Sequence, residues 1–348
     1  MVEHFSIAEG QAQAPALDIA RLPGLTAALD EAAANAAPAN AHLRAAWYGG
    51  RGSTLVARRP DGRAVAALPL ARGTGLTGRL LSAVPGSYWP YRSFPIARDA
   101  SDAELAAFAS AIPDAVWRLG PVREDDSAAT RFAAAAERSG WTILRRMLGA
   151  AYILDPAALG AEGGWPRKTT LRKNRWFEKE LAKEGALDFR FLTGADWTPA
   201  LFDTLAEIER NSWLTDPVDK IDAKFMDPAQ RLSWEQAARD PEIAARMWVA
   251  LLTVGGVPAA FEFDLDCVPT RYCIANSYDR RFAKNSPGRV LAYRNFERLG
   301  ERGIQLLDWG SGDPGYKTQM GAATGPEILD LLFVRSRTLA RLIAPFWT

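Results

Sequence analysis

A turn of small and basic residues, 279–289, is the part of the sequence whose residue types best suit the binding of an anion. A Ser-Pro-Gly sequence at 286–288 joins a predicted strand to a predicted helix, and the first N–H groups of a helix have no partner within it. The helix dipole favours negative charge at the same place, and Lys284 and Arg289 add positive charge. The pattern predicts an anion site. The alternative is an ordinary helix start, with Ser286 as the cap and the proline at the first helical position.

The counts of histidine and cysteine exclude several kinds of chemistry. The 348 residues include two histidines, His4 and His42, which leaves no HExxH zinc motif and no obvious histidine-dependent triad. Cys267 and Cys273 are six residues apart, so they form neither a CxxC pair nor a disulfide framework, and two unpaired thiols suit a reducing cytosol. We therefore expect no metal, and proton transfers that depend on carboxylates, tyrosine, lysine, backbone groups or water.

Charge and hydropathy exclude further classes of protein. Lys and Arg number 42 against 41 Asp and Glu, and this balance argues against general polyanion binding, so no DNA partner is expected. No apolar run reaches 18 residues, and the N-terminus has neither the basic nor the apolar region of a secretory signal. We expect a cytoplasmic protein.

The elements that position these residues follow a similar order twice along the chain. Each half has an antiparallel hairpin, a helix that ends at a glycine and a strand directly after that glycine. This order predicts an α+β protein with a tandem fold, in which two mixed, mostly antiparallel sheets are flanked by helices. The predicted halves are residues 1–155 and 165–348, with a linker at 155–164 that is rich in alanine and glycine.

Further candidate residues lie on a basic helix and among the aromatic residues. Arg172 and three other basic residues at helical spacing share one face of the helix predicted at 167–185. A solvated face is the usual explanation, and the alternative is a contact with a phosphorylated donor or an anionic lipid headgroup. Trp213, Trp89 and Tyr91 are candidates to line an acyl or sugar pocket, although most of the twelve tryptophans suit core and cleft walls.

The most distinctive pattern of the second half combines Ser-Pro-Gly-Arg-Val-Leu at 286–291, a helix, Asp308 at the end of a strand, and Tyr-Lys at 316–317. This combination resembles the acyltransferase domain of the CelD/BcsL type, also described as BioF2-like. That domain is part of the GNAT (Gcn5-related N-acetyltransferase) superfamily and is structurally related to the FemA/FemX aminoacyltransferases. The resemblance covers about residues 165–320 and is loose over 45–155.

The resemblance implies an acyl-CoA donor. The loop from Lys284 to Val290 then cradles the pyrophosphate, and pantetheine lies along the strand from Ile274 to Tyr278. The loop keeps one glycine where the common loop of the superfamily has several, so an aminoacyl-tRNA donor, as in Fem-type enzymes, is the alternative. The residues assigned to the donor are Ser277, Tyr278, Lys284, Asn285, Ser286, Gly288, Arg289 and Val290.

The resemblance also implies direct transfer to an amine, without a covalent enzyme intermediate. An alkyl amine has a pKa of about 10, so a base must take its proton near neutral pH. Asp308 is the first candidate for this base and Glu262 the second; the alternative for Asp308 is a cap or an ion pair with Lys317. Tyr316 is the candidate acid for the leaving thiolate, and Lys317 is the candidate to bind a phosphate or orient a carboxylate. The candidates for contacts with the acceptor are Trp213, Tyr91 and Arg172.

Three functions follow from the sequence. The first is acyl-CoA-dependent N-acylation of a small-molecule or lipid amine. A long-chain acyl group, a cell-envelope or sphingoid-type acceptor and peripheral contact with the inner membrane surface are the finer expectations. The second is a Fem-type transferase that uses aminoacyl-tRNA, the one case in which tRNA is a partner. The third is a domain of this fold that has lost catalysis and serves as a binding module.

Overall fold

Twelve strands form one mixed sheet within the residues that the computed structural model describes, which are 16–73, 81–86, 91–215, 222–313 and 315–347. His4 and Trp89 lie outside these residues. In chain order the strands are β1 (Asp18–Pro23), β2 (Ser53–Arg58), β3 (Ala64–Arg72), β4 (Ser82–Ala83), β5 (Val116–Arg123), β6 (Thr142–Leu154), β7 (Leu187–Thr193), β8 (Met247–Val254), β9 (Val257–Cys267), β10 (Thr270–Tyr278), β11 (Leu306–Ser311) and β12 (Ala323–Val334). Across the sheet their order is β1-β2-β3-β4-β5-β12-β6-β11-β10-β9-β8-β7.

Helices flank the sheet, as the α+β prediction required. None of those in the described part of the chain combines the length and the apolar character that crossing a bilayer requires. In chain order they are α1 (Ala27–Asn35), α2 (Ala45–Tyr48), α3 (Asp102–Ala111), α4 (Ser127–Arg138), α5 (Pro156–Gly163), α6 (Lys168–Leu181), α7 (Pro199–Arg210), α8 (Pro228–Ala238), α9 (Pro241–Ala244), α10 (Pro287–Phe296), α11 (Tyr316–Met320) and α12 (Arg337–Ile343).

The strand order is symmetric about the centre of the sheet. The two parallel pairs, β4 with β5 and β10 with β11, lie at equivalent distances on either side of β12 and β6. The long strands β6 and β12 pair antiparallel with each other, and each also pairs with the parallel unit of the other half: β12 with β5, and β6 with β11. The repeat is therefore present, but the two predicted sheets are joined into one, because each half places its last strand in the sheet of the other.

The predicted linker at 155–164 is partly helical. The Asp155 carboxylate accepts hydrogen bonds from the N–H groups of Ala157 and Ala158, and Pro156 occupies the first helical position of α5. A side-chain cap followed by proline is a favourable helix start, which explains why this alanine-rich segment does not remain an extended linker.

Strand β9 shows how the sequence positions the second half. Its apolar residues Phe261, Phe263 and Leu265 are fully buried in the main core on one face. Because side chains alternate along a strand, the acidic residues between them lie on the opposite face, against which α10 packs. Helix α6 packs on α10 through a second apolar cluster that includes Phe177 and Val290. The two helices thus cover the polar side of β9.

Candidate functional site

A cleft opens where β10 and β11 separate. The two strands pair only over Thr270–Tyr272 and Leu306–Asp308, and the register of β10 against β9 shifts between Cys273 and Ala275. Beyond that shift, residues of β10 and of the segment after β11 line a cavity of about 490 Å³, here named the splay cavity. A β-bulge of this kind disrupts the ladder locally and directs the strand away from its neighbour, which explains the opening.

A second cavity, of about 370 Å³, lies where β10 leads into α10. It is here named the turn cavity, and it is bordered by Glu262 on β9 and by the end of β10. Asn276 and Tyr316 line both cavities, so the turn cavity and the splay cavity are adjacent and form one groove along β10.

The start of α10 presents an uncapped helix N-terminus to the turn cavity. Ser286 has left-handed backbone angles (φ 48°, ψ 55°) and its side chain makes no capping hydrogen bond. The first intrahelical bond runs from the N–H of Val290 to the carbonyl of Ser286, so the N–H groups of Gly288 and Arg289 precede it. These groups and the helix dipole favour an anion at this end of the groove, and the anion site itself stays a prediction.

Helix α3 is the equivalent helix of the first half, since each of the two precedes the second strand of a parallel pair. Its N-terminus carries a complete capping box: Ser101 accepts from the N–H of Glu104, and the Glu104 carboxylate accepts from the N–H of Ser101 at 2.7 Å. The capping box satisfies two donors and places a negative charge there, which opposes anion binding. Of these two helices, α10 alone has a suitable N-terminus.

Five of the eight residues predicted for the donor line the turn cavity. The Ser277 hydroxyl is buried (2 % exposed) and has no hydrogen-bond partner, which leaves a polar atom for a ligand at the wall of the cavity. The Arg289 guanidinium is oriented by a hydrogen bond of 2.9 Å from its Nε to Asn174 Oδ1. The five lining residues are Ser277, Tyr278, Ser286, Gly288 and Arg289.

The other three predicted donor residues do not line the turn cavity. Lys284 is exposed to solvent. The Asn285 amide donates to Glu184 Oε1, and the Val290 side chain is buried in the apolar cluster under α6. Local sequence does not show which residues of a turn face a groove and which face the core. The direction that each residue faces depends on the helix packed behind the turn.

Glu262 borders the turn cavity. It lies opposite Asn276 in the β9–β10 ladder, and its Oε2 accepts a hydrogen bond of 2.8 Å from Asn295 Nδ2. Burial raises the pKa of Glu262 well above that of a free glutamate, and the neighbouring Asp264 charge adds to the rise. A half-buried carboxyl with a raised pKa in a groove is suited to accept and hold a proton near neutral pH.

Tyr316 lies at the start of α11, across the groove from β10. The residue is 39 % exposed, but desolvation on the side that faces the groove raises the pKa of its hydroxyl to about 12, and a hydrogen bond with Asn276 opposes that rise. The phenol therefore keeps its proton at neutral pH and is available as a donor.

Asp308 lies in neither cavity. Its side chain is fully buried and accepts from Tyr91 Oη at 2.9 Å, Arg123 Nη1 at 3.1 Å and the N–H of Gly310 at 2.8 Å. Burial raises the pKa of Asp308, and these bonds oppose the rise. Since Tyr91 and Arg123 belong to the first half, the carboxylate ties the two halves together. This position favours a structural role over that of a base, although the assignment of the base stays a prediction.

Lys317 does not form the ion pair with Asp308 that was the alternative expectation. Its Nζ donates instead to the carbonyls of Trp309 (2.7 Å), Ser311 (3.1 Å) and Gly312. An ammonium has three N–H donors, and all three are used, so none remains for a phosphate or a carboxylate. Lys317 thus holds the end of β11 and the first residue after it in place, and this segment forms one wall of the splay cavity.

The three residues predicted for the acceptor lie in different places. Trp213 lines the splay cavity. Tyr91 is buried against Tyr272, with its hydroxyl on Asp308, and Arg172 is exposed on α6. Only Trp213 of the three lines either cavity of the groove in the described residues.

Sequence reasoning missed several residues of the groove. Asn276 lines both cavities, Lys224 lines the splay cavity, and Asn295 bonds Glu262. The alternation of acidic and apolar residues over 262–266 was a signal for a buried acidic face, whereas nothing in the sequence distinguished Asn295. Within the described ranges, no group of three or more His, Cys, Asp or Glu side chains is arranged to hold a metal ion.

Comparison with known proteins agrees with this geometry. Residues 167–318 match the family model described as an acetyltransferase (GNAT) domain. The second half therefore contains a GNAT-type domain. This span holds β9, β10, α10 and β11, which are the elements that form the groove. No curated protein matches the sequence.

Solved structures share the fold over nearly the whole chain. FemX is 12% identical, with a TM-score of 0.55, over 87% of this chain and 94% of its own. The C-terminal domain of a lysylphosphatidylglycerol synthetase from Agrobacterium fabrum is 14% identical, with a TM-score of 0.52, over 90% and 92%. L-PGS from Bacillus licheniformis is 13% identical, with a TM-score of 0.51, over 84% and 89%. The predicted tandem GNAT-like, Fem-like fold is confirmed.

Proposed function

We propose that the protein is an N-acyltransferase that moves an acyl group from acyl-CoA to an amine. One observation carries the proposal: a single groove joins an uncapped helix N-terminus to a carboxyl and a phenol that are both suited to proton transfer. The match of the same elements to a GNAT-type domain supports it.

The turn cavity fits the phosphorylated end of an acyl-CoA. The N–H groups of Gly288 and Arg289 face the place for a pyrophosphate, and the partnerless Ser277 hydroxyl offers a further hydrogen bond. Ile274, the extra residue at the register shift of β10, has no cross-strand partner on β9. Its N–H is the donor that we assign to the thioester carbonyl.

The proton transfers then need only side chains of the groove. Glu262 takes the proton from the attacking amine, the new C–N bond forms and the C–S bond breaks, and Tyr316 gives its proton to the leaving sulfur. Because burial raises the pKa of Glu262, the carboxyl holds the amine proton more firmly than a free glutamate does. Tyr316 regains its proton from water, and Glu262 releases its own. Asn276, which lines both cavities, lies opposite Glu262 in the β9–β10 ladder and hydrogen-bonds Tyr316.

The splay cavity is the proposed place of the acceptor. Trp213, Leu214 and Trp309 give it apolar walls, and Lys224 contributes a cationic group. These walls support a long-chain or lipid-like amine of cell-envelope or sphingoid type, as expected for a CelD/BcsL-type enzyme. The exposed basic side of α6, with Trp176 53 % exposed, supports peripheral contact with the inner face of a membrane.

Particular observations also bear on the two alternative functions, a Fem-type transferase and a binding module. The same basic side of α6, together with the fold shared with FemX, supports a Fem-type donor, aminoacyl-tRNA. A binding module without catalysis is less well supported, because Lys284, Asn285 and Val290 do not close the turn cavity.

Calorimetry with CoA, acetyl-CoA and a long-chain acyl-CoA tests the proposal. We expect saturable binding of CoA, and tighter binding of the long-chain donor if the acyl group gains apolar contacts along the groove. Absence of binding by all three, together with binding of an aminoacyl-tRNA, would replace the proposal with the Fem-type function.

Replacement of Gly288 by aspartate is expected to weaken CoA binding about tenfold or more. An acidic residue in the first turn is compatible with the helix itself, so α10 should keep its structure while the new charge repels the pyrophosphate. Gly288→Ala is the matched control, since a Cβ at this position meets Tyr278 Cδ1 at 3.5 Å, an ordinary contact. Titration calorimetry measures both variants, and equal affinities in the two would contradict the placement of the donor phosphates.

A further inference from the structure

Three acidic residues on β9 share one face, and one buried guanidinium contacts two of them. Asp264 and Asp266 are 2 % and 3 % exposed, and Glu262 continues the same face into the groove. Arg271, fully buried, donates to Asp266 from Nε at 2.6 Å and from Nη2 at 3.0 Å, and its Nη1 lies 3.5 Å from Asp264. Arg302 binds Asp266 from the other side at 2.9 Å. The positive charge is therefore concentrated at the end of the row away from Glu262.

Asn295 connects the members of this row. Its Nδ2 donates to Glu262 Oε2 at 2.8 Å and to Asp264 Oδ2 at 3.0 Å. Its Oδ1 accepts from Arg271 Nη1 at 2.9 Å and from Trp248 Nε1 at 2.8 Å. Guanidinium and indole groups only donate, so the amide cannot be turned around without facing two donors with its NH₂. Both ends of the Asn295 side chain are thus fixed.

The groups that face Glu262 determine which carboxyl of the row carries a proton. Asp264 lies beside it on β9, Arg271 and Cys273 approach from β10, Asn295 from α10 and Tyr316 from α11. Arg271 stabilises the charge on Asp264 more than that on Glu262, because it is the nearer of the two to the guanidinium. When Glu262 and Asp264 hold one proton between them, that proton therefore lies on Glu262, at the groove.

We propose that Asn295 is a positioning residue for acyl transfer: its one amide, fixed at both ends, holds the Glu262 carboxylate at the groove, where this carboxyl exchanges protons with the acceptor. The inference rests on the proposed function. It also links the two ends of α10, because the helix that presents its N-terminus to the donor carries Asn295 near its other end.

The test is a pH titration of the glutamate side-chain carboxyls by ¹³C NMR, with the Glu262 signal assigned through its loss in Glu262→Gln. In Asn295→Ala the ionised carboxylate loses a donor, so we expect its titration midpoint to rise by about one pH unit. The acid limb of the kcat/KM profile should move by the same amount. Trp248→Phe is the matched control: it removes one bond to Asn295 Oδ1 and leaves both carboxylate bonds, and the midpoint should stay within about 0.3 pH units.

The outcomes separate this inference from the proposed function. An unchanged Glu262 midpoint in Asn295→Ala, or equal shifts in Asn295→Ala and Trp248→Phe, would overturn the role of Asn295. Should Asn295→Ala fail to fold, Asn295→Ser keeps one donor and is expected to give a smaller shift of the same sign; no shift there would again overturn it. Full turnover in Glu262→Gln, a variant that retains Asn295, would instead refute the proposed base and the positioning role that depends on it.

Discussion

Glu262→Gln is expected to lower the turnover of acyl transfer by about 10²- to 10⁴-fold, the usual contribution of a general base. The amide has the shape of the carboxylate and can still accept a hydrogen bond from Asn295, so the groove should keep its structure. The affinity for CoA should change by less than about twofold, because the phosphates are assigned to the start of α10. Steady-state kinetics and calorimetry on the same preparation measure both quantities.

The pH dependence of turnover gives an independent check on Glu262. A base must be ionised to act, and burial raises the pKa of this carboxyl. Wild-type activity should therefore fall, as the pH is lowered, at a pH above the usual range of glutamate, and this limb should disappear in Glu262→Gln. Glu297→Gln, at an exposed glutamate just after α10, is the control and should match the wild type. Loss of the limb in both variants would argue against Glu262.

Asp308→Ala is expected to lower the free energy of unfolding by about 3 kcal/mol or more. The change leaves two buried donors, the Tyr91 hydroxyl and the Gly310 N–H, without an acceptor, and removes one of the carboxylates that bind Arg123. Each unsatisfied buried donor costs about 1–3 kcal/mol. Urea unfolding followed by tryptophan fluorescence measures the loss.

Two further variants separate a structural Asp308 from a catalytic one. Tyr91→Phe removes one of the three hydrogen bonds and should cost about 1 kcal/mol. Asp308→Asn should reduce stability while keeping far more turnover than Glu262→Gln does. If Asp308→Asn instead kept wild-type stability and lost turnover by orders of magnitude, Asp308 would be restored as the base.

The free helix N-terminus at the start of α10 was predictable because its cause is local. A Ser-Pro-Gly turn before a helix leaves the first N–H groups free wherever the turn occurs, and these groups come from adjacent residues. The repeated order of hairpin, helix and strand was predictable for the same reason, since periodicity and turn residues act over short stretches of chain. Whether Ser286 caps the helix was left open by the sequence, and the structure shows no cap.

The partners of the buried charges were not predictable. Asp308 binds Tyr91 and Arg123, which are 217 and 185 residues away along the chain, and nothing in the sequence near Asp308 indicates either. The sequence paired Asp308 with Lys317 because they are close in the chain. In the structure Lys317 instead donates to carbonyls at the end of β11.

The sequence by itself determined the α+β class, the tandem order, the scarcity of histidine and the turn at the start of α10. The tertiary structure decided that β6 and β12 join the halves into one sheet, that Glu262 rather than Asp308 borders the groove, and that Asn295 holds Glu262. The reason is physical: a helix start or a turn depends on neighbouring residues, whereas strand pairing and burial of a charge depend on residues that only folding brings together.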